Sequence, residues 1–258
     1  MEKKIVFSLA IALASLSGLP VQGQKKVVPL KYGNMDHWVI RNIKESAIIG
    51  GNQKTIYAVG PNIKVLAAGS LFLGDVREPI TSTKDGPKAI NWGIPFTARP
   101  KAVQFDYKTY MPQSANRIKQ NGFSGASTVA GRDYAIAVLY LQKRHEDARG
   151  NITAKRVGTM VVKYGKSTNG WVNDATYTIH YGDIRHMAGY DAATMGLRST
   201  DYARNSKGKS VPVRETGWAG IHETPTHLIL QFSSSHGGAY IGTPGNTLWI
   251  DNVALVYE

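Results

Sequence analysis

The chain has 258 residues, 42% of them hydrophobic, and 31 lysines and arginines against 18 acids give a formal net charge of +13. It contains no cysteine, which excludes disulfides, thiolate metal sites, cysteine nucleophiles and the lipidated N-terminus of a bacterial lipoprotein. The positive balance suits an acidic glycan or an anionic envelope surface. It does not mark a nucleic-acid binder, because basic residues occur at most in pairs such as Lys25-Lys26 and Lys143-Arg144, and no nucleic-acid motif is visible.

At the N-terminus, Lys3 and Lys4 precede the apolar run Ile5 to Leu16, Gly18 and Pro20 break it, and Val21-Gln22-Gly23 offers small residues for cleavage. This is the layout of a secretory signal over residues 1–23, with the mature chain starting at Gln24. Export is therefore expected, to the periplasm, the outer-membrane surface or the medium. No later apolar stretch reaches the roughly 20 residues needed to span a bilayer as a helix. Removing residues 1–23 takes away two lysines and one glutamate and leaves the balance at +12.

From Gln24 onward, short runs of β-branched and aromatic residues recur between Gly, Pro, Asn and Asp, and helical apolar spacing is missing. The pattern predicts strands near 38–43, 54–59, 63–73, 99–110, 133–142, 155–164, 175–181, 227–234 and 247–257. Nine or so strands without intervening helices imply an all-β fold, a single two-sheet antiparallel β-sandwich of jelly-roll type over residues 24–258. Two stretches fall outside the pattern. Residues 116–132, rich in Gly, Ser and Asn, read as a long loop. Residues 185–216 read as a second, with a short helix near 190–198. Loops of such length inside a compact domain are often functional.

The last strand carries one acid. Strict alternation over Leu248–Tyr257 puts Leu248, Ile250, Ala254 and Val256 on one face, and Trp249, Asp251, Val253, Leu255 and Tyr257 on the other. Asp251 then shares a face with large apolar residues and needs a partner, since an unpaired buried charge costs several kcal/mol.

Catalytic motifs fare poorly. His222-Glu223 and His227 have the wrong spacing for a zinc protease, and Pro225 between them breaks the helical turn that both ligands would need. Ser233-Ser234-Ser235-His236 lacks the Gly-x-Ser-x-Gly turn of an exposed nucleophile, and serines at a strand end commonly satisfy backbone groups. Glycoside hydrolysis asks for two carboxylates facing a cleft. Glu146, Glu215, Glu223 and Asp106 are the candidates; Glu215 and Glu223 flank Trp218, whereas Glu146 sits at a hairpin-like turn. Sugar binding alone asks for flat aromatic faces with a few polar groups beside them. Asn91 and Trp92, in a loop-like stretch ending at Pro95, lead that set, followed by Trp218 and Trp171. Trp249 fits the core better.

Three stretches together resemble the putative carbohydrate metabolism domain family of secreted bacterial proteins. They are Tyr32 to Trp38 with Ile49-Gly50-Gly51, then Trp92 to Lys101 leading into Val103–Tyr110, and finally Ser233 to Tyr257 through Leu248-Trp249-Ile250-Asp251-Asn252-Val253. The resemblance implies a jelly roll similar to carbohydrate-binding modules and to some glycosidases. Many such modules hold a structural calcium between an acid near the first strand and another in the last, positions that Asp36 and Asp251 match here. Asn34 or Asn252 and backbone carbonyls would complete its six to eight oxygens; otherwise Asp251 pairs with a cation or with backbone N–H groups.

The sequence thus points first to a secreted, non-catalytic glycan-binding protein of the cell envelope, with no required cofactor and calcium as an option. The alternatives are a glycoside hydrolase on the same fold and a structural protein that presents loops to envelope partners.

Overall fold

The computed structural model describes residues 25–30, 52–56, 63–76, 86–120, 125–238 and 240–257. The leader at 1–23, the predicted strand at 38–43, and Asn34, Asp36 and Trp38 lie outside the described residues.

Two sheets face each other across one core. The smaller has four strands in the order Lys26–Pro29, Thr247–Tyr257, Ala102–Tyr110 and Val172–Thr178. The larger runs Tyr202–Arg204, Ser210–Trp218, Ile152–Tyr164, Ala135–Glu146, His227–Ser233 and Ser70–Phe72, with His180–Tyr181 beside Ile152–Tyr164 and Ile94–Pro95 beside His227–Ser233. Neighbours are antiparallel except Ile152–Tyr164 with Ser210–Trp218, which is parallel. The helical content among the described residues is two single turns, Gly86–Ala89 and Ala192–Met195, the second inside the range predicted for a helix. The protein is an all-β sandwich.

Alternation along the strands explains the core. Val103 and Phe105 from the small sheet meet Leu139, Leu141, Leu230 and Phe232 from the large one, with Leu248, Val253 and Leu255 beside them. Phe105 and Phe232 pack edge to face at 4.9 Å. Each such side chain contributes on the order of 1.5–3 kcal/mol by leaving water. The large sheet also buries part of its second face, around Ile136, Val138, Tyr140 and Ile229.

Both stretches read as loops contain strands. Asn116–Lys119 and Ser127–Ala130 pair as a hairpin, and Tyr202–Arg204 with Ser210–Trp218 forms the far edge of the large sheet. Pro212 lies in this pairing, opposite Tyr202. It sits just ahead of the parallel pairing, which begins at Val213 opposite Ile152, so its missing N–H interrupts no bond to that neighbour.

Candidate functional site

The outer face of the four-stranded sheet is built by the strand Ala102–Tyr110. Its inward residues Val103, Phe105 and Tyr107 join the core, which leaves Gln104, Asp106, Lys108 and Tyr110 outward. In the neighbouring strand, Leu248 and Ile250 face inward and Trp249 and Asp251 face outward. A bulge then falls between Asp251 and Ala254, with Asn252 in the left-handed region at φ 50°. The extra residue reverses the phase, and Val253 and Leu255 return to the core. Asp251 therefore does not share a face with them, as strict alternation predicted. It is half-exposed and lies directly across from Asp106, with Oδ1 accepting from the Asn252 N–H at 2.8 Å.

A matching bulge interrupts Val172–Thr178, where Asp174 has φ 53°. Asp106 sits between the two irregularities and ties them together. Its Oδ1 accepts from the Asp174 backbone N–H at 2.6 Å and its Oδ2 from Asn252 Nδ2 at 2.7 Å. Both carboxylate oxygens thus have structural work. Among the described residues no group of three or more His, Asp and Glu side chains is placed to hold a metal ion. Asp36 falls outside them, so calcium at Asp251 stays an expectation from the resemblance.

The same face displays aromatic rings. Trp249 is 39% exposed, Trp171 47% and Tyr110 55%. Trp249 pairs across the sheet with Lys108, whose Nζ lies 4.9 Å from the indole centroid. Trp171 immediately precedes Val172, the partner of Tyr107 in the strand that lies on the other side of Ala102–Tyr110 from Trp249. From the strand between them, Lys108 faces outward. Tyr110 stands two residues further along. Flat apolar rings beside ammonium, carboxylate and amide groups are suited to stacking on sugar rings while bonding their hydroxyls. The sequence reading had placed Trp171 among the sugar candidates but had assigned Trp249 to the core. The signal for its exposure was the outward acid two residues away, once the bulge is known.

The other expected sugar residues have packing roles on the large sheet. Trp92 is half-buried, 4.9 Å from the Phe72 ring, and packs against the Ile136, Val138 and Tyr140 cluster; its carbonyl accepts from Arg144 Nη2 at 2.8 Å. Asn91 donates from Nδ2 to Asp75 at 2.8 Å and accepts the Arg204 N–H at 2.8 Å. It joins segments instead of presenting a free amide. Trp218 is half-buried, 5.8 Å from the Arg156 guanidinium.

The candidate carboxylates are dispersed. Glu215 is buried against Arg156, which has no exposed side-chain surface. Oε1 accepts from Arg156 Nε at 2.7 Å and Gln142 Nε2 at 2.8 Å, and Oε2 from Arg156 Nη2 at 2.5 Å and the Arg198 N–H at 2.7 Å. Glu223 is half-exposed and paired with Lys143; the hydrogen bond and charge of that lysine hold its carboxyl below the usual range. Glu146 caps Ser206, accepting from its N–H and hydroxyl, and these bonds lower its pKa. The neighbouring turn is closed by Asp147, which accepts from the N–H groups of Arg149 and Asn151. No two of Glu146, Glu215, Glu223 and Asp106 are brought into contact.

The serine cluster resolves into a buried scaffold. Ser235 Oγ donates to Asp133 at 2.9 Å, and Asp133 also faces His236 Nδ1 at 2.8 Å and accepts the Thr243 N–H at 2.7 Å. Burial raises the Asp133 pKa, but hydrogen bonds from His236, Ser235 and Thr243 outweigh it and leave the group lowered. A nucleophile would need the serine on His236 Nε2. That nitrogen instead meets Arg117 Nη1 at 3.2 Å, with the imidazole stacked on Tyr134 at 3.5 Å.

A cleft of about 320 Å³ opens where the edge strand Val172–Thr178 approaches Ile152–Tyr164 beneath the 184–195 segment. Met187, Met195, Ile184 and Tyr190 make much of its wall. Several of its polar groups are already engaged: Thr159 Oγ1 accepts from Arg156, Thr176 Oγ1 bonds Asp174 O, and the Tyr177 hydroxyl meets that of Tyr164. It offers a sugar less than the aromatic row does.

The family described as Putative carbohydrate metabolism domain matches residues 44–256. No curated protein matches the chain significantly. Among solved structures, a putative glycoside hydrolase from Bacteroides thetaiotaomicron vpi-5482 is similar at 18% identity and a TM-score of 0.46, over 82% of this chain and 57% of that one. Another, from Bacteroides vulgatus ATCC 8482, is similar at 18% identity and a TM-score of 0.44, over 76% and 73%. The chain spans little more than half the length of the first.

Proposed function

The chain belongs to the putative carbohydrate metabolism domain family, and from that premise we propose that it binds a glycan at the cell envelope without cleaving it. The observation that carries this reading is the exposed aromatic set of the smaller sheet, Trp249 beside Lys108 on its outer face with Tyr110 and, at the start of the neighbouring strand, Trp171. A flat row on rigid strands costs little conformational entropy when a polymer lies along it. The binding reading is favoured over hydrolysis because Glu215 is neutralised by a buried arginine, Asp106 holds two bulges, and Glu146 and Glu223 have surface partners of their own.

Calorimetric titration with a panel of soluble polysaccharides tests it. Each of Trp171→Ala and Trp249→Ala should weaken binding by about tenfold, the loss of one stacking contact worth ~1–1.5 kcal/mol. Unchanged affinity in the double variant would remove the aromatic row as the site. Release of reducing ends by the wild-type protein would replace binding with hydrolysis. Export rests on residues 1–23, and a mature envelope form beginning at Gln24 is its direct check.

A further inference from the structure

The larger sheet extends beyond the smaller one, and its uncovered end is basic. Along Ala135–Glu146 the core-facing positions Ala135, Ala137, Leu139 and Leu141 are buried, whereas the next two on that side, Lys143 and His145, are exposed. The partner strand continues the same face outward from buried Val157 through exposed Lys155 to half-exposed Thr153. Parallel pairing then sets exposed Arg214 beside Thr153. Three adjacent strands thus present Lys143, Lys155, Arg214 and His145 on one level surface.

Lys143 and Lys155 are direct cross-strand partners. Like charges in that position destabilise the pair unless an anion sits between them. The anion supplied by the fold is Glu223, which bonds Lys143 at 2.5 Å while 42% exposed. Lys155 has a longer-range attraction to the same carboxylate, and Arg214 has no acidic partner among the described residues. One half-exposed glutamate therefore serves two lysines, with an arginine and a histidine one step along the strands. A level surface with charges about 5 Å apart across strands and about 7 Å along them fits a chain of repeated anionic groups.

We infer that the uncovered end of the large sheet binds an acidic polysaccharide, one bearing uronate or sulfate groups. This inference rests on the glycan-binding reading and names the class of glycan. It concerns a different sheet from the aromatic row, so the two surfaces can be altered separately.

The test uses the full mature chain and the variant Lys155→Glu/Arg214→Glu, with unchanged thermal melting as the check on folding. The probes are polygalacturonate, dextran sulfate, neutral dextran and phosphatidylglycerol vesicles. At low salt the wild type should bind at least one acidic polymer, with polygalacturonate and dextran sulfate distinguishing carboxylate from sulfate. The variant should lose about tenfold or more, and about 0.5 M salt should have a similar effect on the wild type by screening. Should charge reversal impair folding, Lys155→Gln/Arg214→Gln gives the same readout with a smaller loss.

Equal binding of an acidic polymer by wild type and variant overturns the inference. If Trp171→Ala/Trp249→Ala alone abolishes binding, the inference fails while the glycan reading survives. Failure of every polysaccharide to bind sinks both. Capture of vesicles without any polysaccharide overturns it in favour of an anionic membrane surface.

Discussion

His227 begins a strand of the large sheet and lies opposite both Gln142 and Pro95. Burial, followed by the nearby Arg144 charge, pulls its pKa from 6.5 down to about 4. The folded protein therefore holds it neutral where the unfolded chain would take up a proton. Between those two values the unfolded state binds more protons, so stability rises with pH across the window. The contribution is fully present above about 6.5 and is lost as pH falls toward 4. His227→Gln should flatten this part of the stability profile, measured by urea unfolding at a series of pH values; an unchanged slope would locate the acid sensitivity elsewhere. Asp251 shows the limit of reading single residues from sequence. Its strand is legible from alternation, but the bulge that turns it outward depends on Asn252 adopting φ 50°, which asparagine tolerates and no alternation pattern reveals.

The 185–201 segment depends on a buried charge. Arg156 donates to the Met195 and Gly196 carbonyls, lies 3.9 Å over the Tyr140 ring, and is neutralised by Glu215, which also receives the Arg198 N–H. Tyr140 donates its hydroxyl to Thr194 O at 2.5 Å, and Lys163 pairs with Asp191, the N-cap of the Ala192–Met195 turn. Glu215→Gln leaves the guanidinium buried without its counter-charge and should cost about 3–5 kcal/mol. Arg156→Met/Glu215→Leu should recover much of that loss in denaturant unfolding, because neither charge is then stranded. Faster proteolysis within 185–201 should accompany the single variant, and a double variant no better than the single one would contradict this account. The sequence could not separate these roles. Glu215 beside Trp218 has the composition of a catalytic or sugar-binding pair, and only the arginine from a neighbouring strand shows it to be structural.

Across the whole molecule, both sheets contribute to one core, so truncation in either should weaken the same transition. Phe105→Ala in the small sheet and Leu139→Ala in the large one should each cost about 2–5 kcal/mol while unfolding stays a single calorimetric event. Two separated transitions would mean that the sheets are independently stable. The sandwich was legible because Val103–Tyr110, Ala135–Gln142 and Leu228–Phe232 carry continuous or alternating apolar residues bounded by turn formers. The aromatic and basic surfaces were not. Their residues come from strands distant in sequence, and exposure depends on where one sheet ends over the other. Trp92 and Trp249 illustrate this by exchanging the expected places of surface and core.

The parallel pairing of Ile152–Tyr164 with Ser210–Trp218 has a consequence for how the chain reaches this state. Ala135–Glu146 and Ile152–Tyr164 are joined by the tight turn at Asp147–Asn151 and can zip together locally. Ser210–Trp218 pairs with Ile152–Tyr164 across a long connection that passes through the other sheet at Val172–Thr178. Loop closure of this kind precedes its rewarding contacts and slows assembly. The strand that supplies both Arg214 and Glu215 is therefore expected to dock late, so that the basic surface and the buried ion pair are completed in the same closing step.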